Sequence, residues 1–326
     1  MYGSSAANQA NVPGKESSTM ATTENHLDRS GKERLMQIAA IASVAVAVLL
    51  IVIKAVAWLK TGSVAMLASL LDSVLDGAAS TINLLFVRRA IQPANQRYRF
   101  GHGKAEPIGG MFQAIIIGAS ALFLIAEAGR RLLDPVLPTN TTLGIVIMLV
   151  SSVMIGGLVI LQRSVVKKTG SFVISADALH GIGDVAINLG VIVALVASTR
   201  FNAPMVDPIV AILLAGVLIR GAWEIGGGAV RQLMDVELSE EERQKIREIA
   251  LANPAVRDIH DLRTRRAGLS AFIQMHIELD GNMRLAEAHE IADAVELAVQ
   301  NEFEDAEVLI HQDPQGMESV PEFLRE

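Results

Sequence analysis

The sequence predicts an α-helical membrane protein of six transmembrane helices that carries a small cytoplasmic α+β domain in αββαβ order. Three observations predict it. Hydrophobic residues make up 51% of the 326-residue chain, and the mean hydropathy is +0.39, a composition that suits lipid better than water. The apolar residues gather in separate runs of about 20, the length that crosses a bilayer as a helix. Charge divides after Val236: residues 237–326 hold 21 acids and 9 bases, net −12, whereas the rest is net +5.

Taken in order, residues 1–32 form an N-terminal tail. Residues 1–30 are rich in Ser, Ala, Asn and Thr and contain no apolar core of a signal peptide, so disorder is expected there, with Met20 as an alternative start. Six apolar runs follow at 35–58, 63–87, 107–132, 141–162, 171–198 and 207–228, within a membrane domain spanning 33–236. Each must be helical, because lipid leaves no partner for an open backbone. An even number of spans puts both termini on one side. That side carries Arg29, Lys32, Arg34, Arg88, Arg89, Arg97, Arg99, Lys104, Arg163, Lys167, Lys168 and Arg231, against Lys60, Arg130, Arg131 and Arg200 on the other, so the termini are cytoplasmic. The acidic segment 237–314 then reads as a soluble domain. ELSEEERQKIREIALANP is a helix, AVRDIHDLRTRRAG and LSAFIQMHIELDG are strands joined by a Gly-containing turn, MRLAEAHEIADAVELAVQNEF is a helix, and AEVLIHQDP is a last strand. Such an order packs as one sheet with helices on a face. Residues 315–326 are a C-terminal tail.

Two acids interrupt the second run. LLDSVLDG sets Asp72 and Asp76 four residues apart, and each acid at mid-membrane costs about 2.5–3.5 kcal/mol on insertion scales. The fifth run, SADALHGIGDVAINLG, carries His180 and Asp184 at the same spacing, on one helical face. Three carboxylates and one imidazole make a four-coordinate N/O site suited to Zn²⁺ and open to Fe²⁺, Mn²⁺, Co²⁺ or Cd²⁺. With no cysteine in the chain, thiolate ligands and disulfides are excluded. Loading such a site expels protons and protonation expels the ion, a physical basis for metal/proton exchange. Asn83 and Asn188, on the same two helices, are assigned to helix packing, and Asp177 to a cap or interfacial acid near the start of the fifth helix. In the soluble domain, His260, His276, His289 and His311, with Asp313, account for four of the chain's seven histidines and point to a second metal cluster.

The chain resembles the cation diffusion facilitators, of the bacterial zinc and ferrous-iron efflux type. The resemblance runs from about residue 33 to 314 and rests on GSVAMLASLLDSVLDGAAS, FGHGKAEP, ADALHGIGDVAINLG, HDLRTRRAG, FIQMHIELDGN, EAHEIAD and EDAEVLIHQDP. It implies a homodimer in the bacterial inner membrane that exports divalent metal from the cytoplasm in exchange for protons. It implies that Asp72, Asp76, His180 and Asp184 form the transport site. It also implies a metallochaperone-like domain in which His260, His276 and Asp313 hold one ion and His289, His311 and Asp313 another, with Gln312 lending a contact. Lys104 and Asp235 match a charge pair that locks two subunits at the membrane surface.

One departure is visible. In PANQRYRFGHGKAE, Asn95 and Tyr98 stand where the family often has an acid and a histidine, leaving His102 alone, so this loop position is expected to be weak or empty. A nucleotide-driven pump is disfavoured, since no GxxxxGK[ST] segment is present. An intramembrane metalloenzyme is disfavoured because no HExxH-like base accompanies the site, and secondary transport, not catalysis, is the reading. The remaining alternative is a membrane-anchored metal sensor whose cytoplasmic domain is the working part. Expected partners are divalent ions, protons, the bilayer and a second copy of the chain, with no nucleic acid.

Overall fold

The computed structural model describes residues 28–62, 64–133, 142–201, 205–303 and 305–316. Residues 1–27 of the expected tail, with Met20, and the last ten residues lie outside the described residues, whereas 29–32, also expected in the tail, are helical because Asp28 caps a helix there. Among the described residues, six helices are long and apolar enough to cross a membrane: α1 Arg29–Thr61, α2 Val64–Ala90, α3 Ala105–Leu133, α4 Thr142–Thr169, α5 Phe172–Phe201 and α6 Val206–Leu233. They outrun the apolar stretches at their polar ends, because hydropathy marks the depth of lipid while backbone hydrogen bonding continues beyond it. Thus α1 starts at Arg29, where the Asp28 side chain accepts from the Gly31 N–H at 2.9 Å and caps the helix. Basic residues close α2 (Arg88, Arg89), α4 (Lys167, Lys168) and α6 (Arg231), where they meet the negative ends of the helix dipoles. Helix α1 packs on α2, α4 on α5 and α3 on α6, with α2 reaching α5.

The cytoplasmic domain follows the αββαβ order: α7 Glu240–Leu251, β1 Asp258–Ala267, β2 Ser270–Leu279, α8 Leu285–Glu302 and β3 Ala306–Pro314. A capping box between Ser239 and Glu242 starts α7. The sheet order is β1-β2-β3, with β1 antiparallel to β2 and β3 parallel to it through the α8 crossover. Ile273, Met275 and Ile277 of β2 alternate inward onto Ile246 of α7 and Val295 and Val299 of α8. A register shift between His260 and Arg263 lets Ile259 and Leu262, three apart, both enter this core. Consequently the even-numbered residues of β2, His276 among them, project from the opposite face.

The two domains meet at the loop before α3. A Cβ on Gly103 would lie 2.1 Å from the Ala267 carbonyl oxygen, so only glycine permits this approach of loop to hairpin. Phe100 of the loop meets Phe272 of β2 edge-on at 5.7 Å, and the Arg265 guanidinium lies 5.2 and 4.5 Å from their ring centres. Asp235, just beyond α6, accepts from Lys104 at 2.9 Å and from Arg265 at 3.4 Å. This Lys104–Asp235 pair therefore joins the loop to the end of α6 within one chain.

Candidate metal centre

The i, i+4 spacing on α5 and the α2–α5 contact together assemble a cluster at mid-membrane. His180 Nε2 lies 3.0 Å from Asp76 Oδ1 and 3.8 Å from Asp184 Oδ2, and one ligand atom from each residue falls within 4.8 Å of the others. All three are half-buried and line a cavity of about 40 Å³, large enough for an ion or a water. Asp72 is one turn away on α2, exposed, and stands outside this trio. The structure thus unites three of the four residues that the sequence singles out.

Asp177 corrects an expectation. It does not cap α5: it is buried at 6% exposure and accepts from Asn83 Nδ2 at 3.2 Å and Gln162 Nε2 at 2.6 Å. The cap belongs to Glu106, whose Oε1 accepts from the Phe172 N–H at 2.6 Å, assisted by Ser171. A polar residue in the second turn of a helix reads as terminal in one dimension, yet here the α4 and α2 neighbours bury it. Asn83 fits its packing assignment, since its amide ties α2 to α5; Asn188 is half-buried on α5.

Lys54 and Glu106 carry no role in the sequence reading. Lys54 hides inside the apolar run of α1, is 8% exposed, and donates to Ser73 Oγ at 2.6 Å and the Ser69 carbonyl at 3.2 Å. A lone basic residue within a long apolar run was the available signal.

In the cytoplasmic domain the sheet register sets the second cluster. His260 pairs with His276, and His276 with His311, so three imidazoles form one row across β1, β2 and β3. Neighbouring rings stand 5.1 and 4.5 Å apart. Asp313, two residues beyond His311 on the same face, accepts from His276 Nδ1 at 2.8 Å and His260 Nε2 at 3.1 Å, with His311 Nε2 3.1 Å from its other oxygen. Burial pushes the Asp313 carboxyl up, but the His276 hydrogen bond and the other imidazoles outweigh it and hold it below the usual range. His260, His276 and Asp313 bring ligand atoms within 4.8 Å of one another. His289 is elsewhere, exposed on α8 and 3.4 Å from Asp293. Gln312 alternates to the helix-facing side of β3 with Ile310 and Val308. In the loop, His102 is buried at 8% exposure, contacts the Gln92 carbonyl at 3.3 Å and stacks on Tyr98 at 4.6 Å. Arg89 and Arg97 flank that Tyr98 ring, and His102 joins no metal-competent group among the described residues.

The family described as the cation efflux transmembrane domain matches residues 40–234, and that of the cation efflux protein cytoplasmic domain matches residues 238–315. The chain belongs to the cation diffusion facilitator family. This cation efflux transporter is a multi-pass membrane protein, and it is similar along nearly its whole length to relatives of known name. The Cation-efflux pump FieF of Shewanella oneidensis is 46% identical over 283 residues, covering 87% of this chain and 95% of the relative. That of Pectobacterium atrosepticum is 42% identical over 292 residues, covering 90% and 96%. Among solved structures, the metal-bound C-terminal domain of the CzcD transporter from Thermotoga maritima is 30% identical, covering 25% of this chain and all of that one, with a TM-score of 0.24.

Proposed function

We propose that this transporter exports a divalent metal ion from the cytoplasm in exchange for protons by alternating access, with Zn²⁺ the leading cargo and Fe²⁺, Cd²⁺ and Mn²⁺ the other ions its ligands admit. The convergence of Asp76, His180 and Asp184 between two membrane helices carries this reading. Asp72, one turn along α2 on the same helical face, supplies the fourth ligand. Three carboxylates and an imidazole are hard-to-borderline donors, which suit these ions and not Cu(I). Binding needs ionised carboxylates and a neutral imidazole, so each protonation favours release. An inward proton gradient then drives export without nucleotide.

The transporter works as a homodimer in the bacterial inner membrane, with both termini cytoplasmic, as the bias of basic residues supports. The membrane domain takes 33–236 and the metal-binding dimerisation domain 237–314. In the latter, His260, His276 and Asp313 hold one ion. His311 and Asp313 begin a second, to which the second copy contributes His289, exposed on α8; Gln312, turned to the helix-facing side of β3, stands outside both.

Proteoliposomes loaded with a pH indicator test the exchange. Zinc-dependent proton movement is expected in the parent and is expected to fall to the level of empty vesicles in Asp76→Ala. Undiminished movement in that variant would contradict the site.

A further inference from the structure

Lys54 is the cation that the transport site lacks in its own ligand set. We propose that the Lys54 ammonium is a fixed counter-charge of the transport site, one that lowers the site's affinity for the divalent ion enough to let it leave. The inference rests on the assignment of Asp72, Asp76, His180 and Asp184 as the ligands.

A lysine seven residues from the end of α1 would ordinarily reach toward the outer interface with its flexible stem. This one does not. Its ammonium is turned onto α2, where Ser73 Oγ and the Ser69 carbonyl hold it at 2.6 and 3.2 Å. Ser73 is the residue after Asp72 and lies within one turn of Asp76. Ser73, which holds the ammonium, lines the same small cavity as Asp76, His180 and Asp184, so the charge sits beside ligands from two different helices. Burial without a purpose would be expensive for a charge at this depth, and intramembrane charges are retained where they act.

Charge arithmetic gives the purpose. Three ionised carboxylates and a neutral imidazole around a divalent ion leave one negative charge, and Lys54 cancels it. The loaded site is then neutral. Without Lys54 the same ligands would attract the ion more strongly, because a like charge is removed from a medium that screens poorly. Tight binding alone does not make a pump; the ion must also dissociate on the far side.

A purely structural lysine, tying α1 to α2 through Ser73, predicts the opposite sign: its loss would loosen the helices and weaken binding. The two are separated on the full-length chain carrying His260→Ala, His276→Ala and His311→Ala, which silences the cytoplasmic cluster. Zinc affinity is measured by competition with a chelator, alongside zinc flux in vesicles. Lys54→Met is expected to bind zinc on the order of tenfold more tightly while its flux slows, and Lys54→Arg to stay near the parent in both. Unchanged or weaker binding in a Lys54→Met protein that elutes as folded overturns the proposal. Should that protein not fold, Lys54→Gln, which keeps a donor for the Ser69 carbonyl, is read by the same criteria. Asp76→Ala in the same background tells the two levels apart: if it still binds zinc as the parent does, the ligand assignment itself fails; if it does not bind and Lys54→Met is unaltered, only the role of Lys54 fails.

Discussion

Asp177 and Asp184 are two carboxylates on one helix, two turns apart, and they are treated in opposite ways. Asp177 is enclosed and saturated by carboxamide donors from Asn83 and Gln162. Both aspartates border the small cavity that Asp76 and His180 line, but Asp184 and those two partners are only half-buried and carry no such carboxamide donors among the described residues. A charge neutralised by protein dipoles stays where it is; a charge left to be neutralised by an exchangeable ion can take part in transport. The difference is one of partners, since both residues are acids on the same helix.

Exchanging the two carboxylates' fates would break this contrast most visibly. Asp184→Ala is expected to abolish zinc flux in vesicles while leaving the thermal unfolding of the detergent-solubilised protein close to that of the parent. Asp177→Ala is expected to do the reverse in equilibrium terms: it strands two buried carboxamides, each costing about 1–3 kcal/mol, so the unfolding temperature falls while zinc affinity of the surviving folded protein is retained. Loss of zinc binding in Asp177→Ala at full stability would erase the distinction between the two sites.

A milder effect is expected at the domain junction, which is exposed and screened. Burial pushes the Asp235 carboxyl up, but the hydrogen bond and charge of Lys104, aided by Arg265, outweigh it and hold the carboxyl below its ordinary value. Its folded-state value being the lower one, the pair contributes fully above the unfolded value of about 3.9 and loses that contribution as pH falls through the folded value. With side chains about 40% exposed (38% and 42%), the contribution is about 0–1 kcal/mol. Lys104→Ala is therefore expected to lower the unfolding temperature slightly and equally at pH 5 and 7, less in high salt, and by a shrinking amount as pH falls below about 3.9 and through the lower folded value. The smallest effect on ions is expected in the loop: His102→Ala should leave the number of tightly bound ions per chain unchanged by isothermal titration, because Tyr98 and two arginines stand where further ligands would be needed.

The legible part of this molecule follows from periodicity. Six apolar runs, and paired polar residues four apart on the second and fifth of them, fix which faces must meet in lipid, and the three-residue cluster follows. The alternation in FIQMHIEL likewise sets His276 opposite the core face. What one dimension hides is registration between elements. The row His260–His276–His311 depends on strand pairing and a bulge after His260, neither of which leaves a local mark. Asp177 reads as terminal because its neighbours Asn83 and Gln162 are distant in sequence, and Lys54 reads as part of a span because apolar neighbours on both sides dilute one charge.

Zinc K-edge X-ray absorption on the full-length protein with the three cytoplasmic histidines replaced by alanine tests the central claim most directly. One imidazole nitrogen at about 2.0–2.1 Å, with the remaining positions filled by oxygen, is the predicted coordination, and it should vanish in Asp76→Ala. Two or more imidazoles around the zinc, or the same spectrum in Asp76→Ala, would contradict a cargo site built from Asp76, His180 and Asp184.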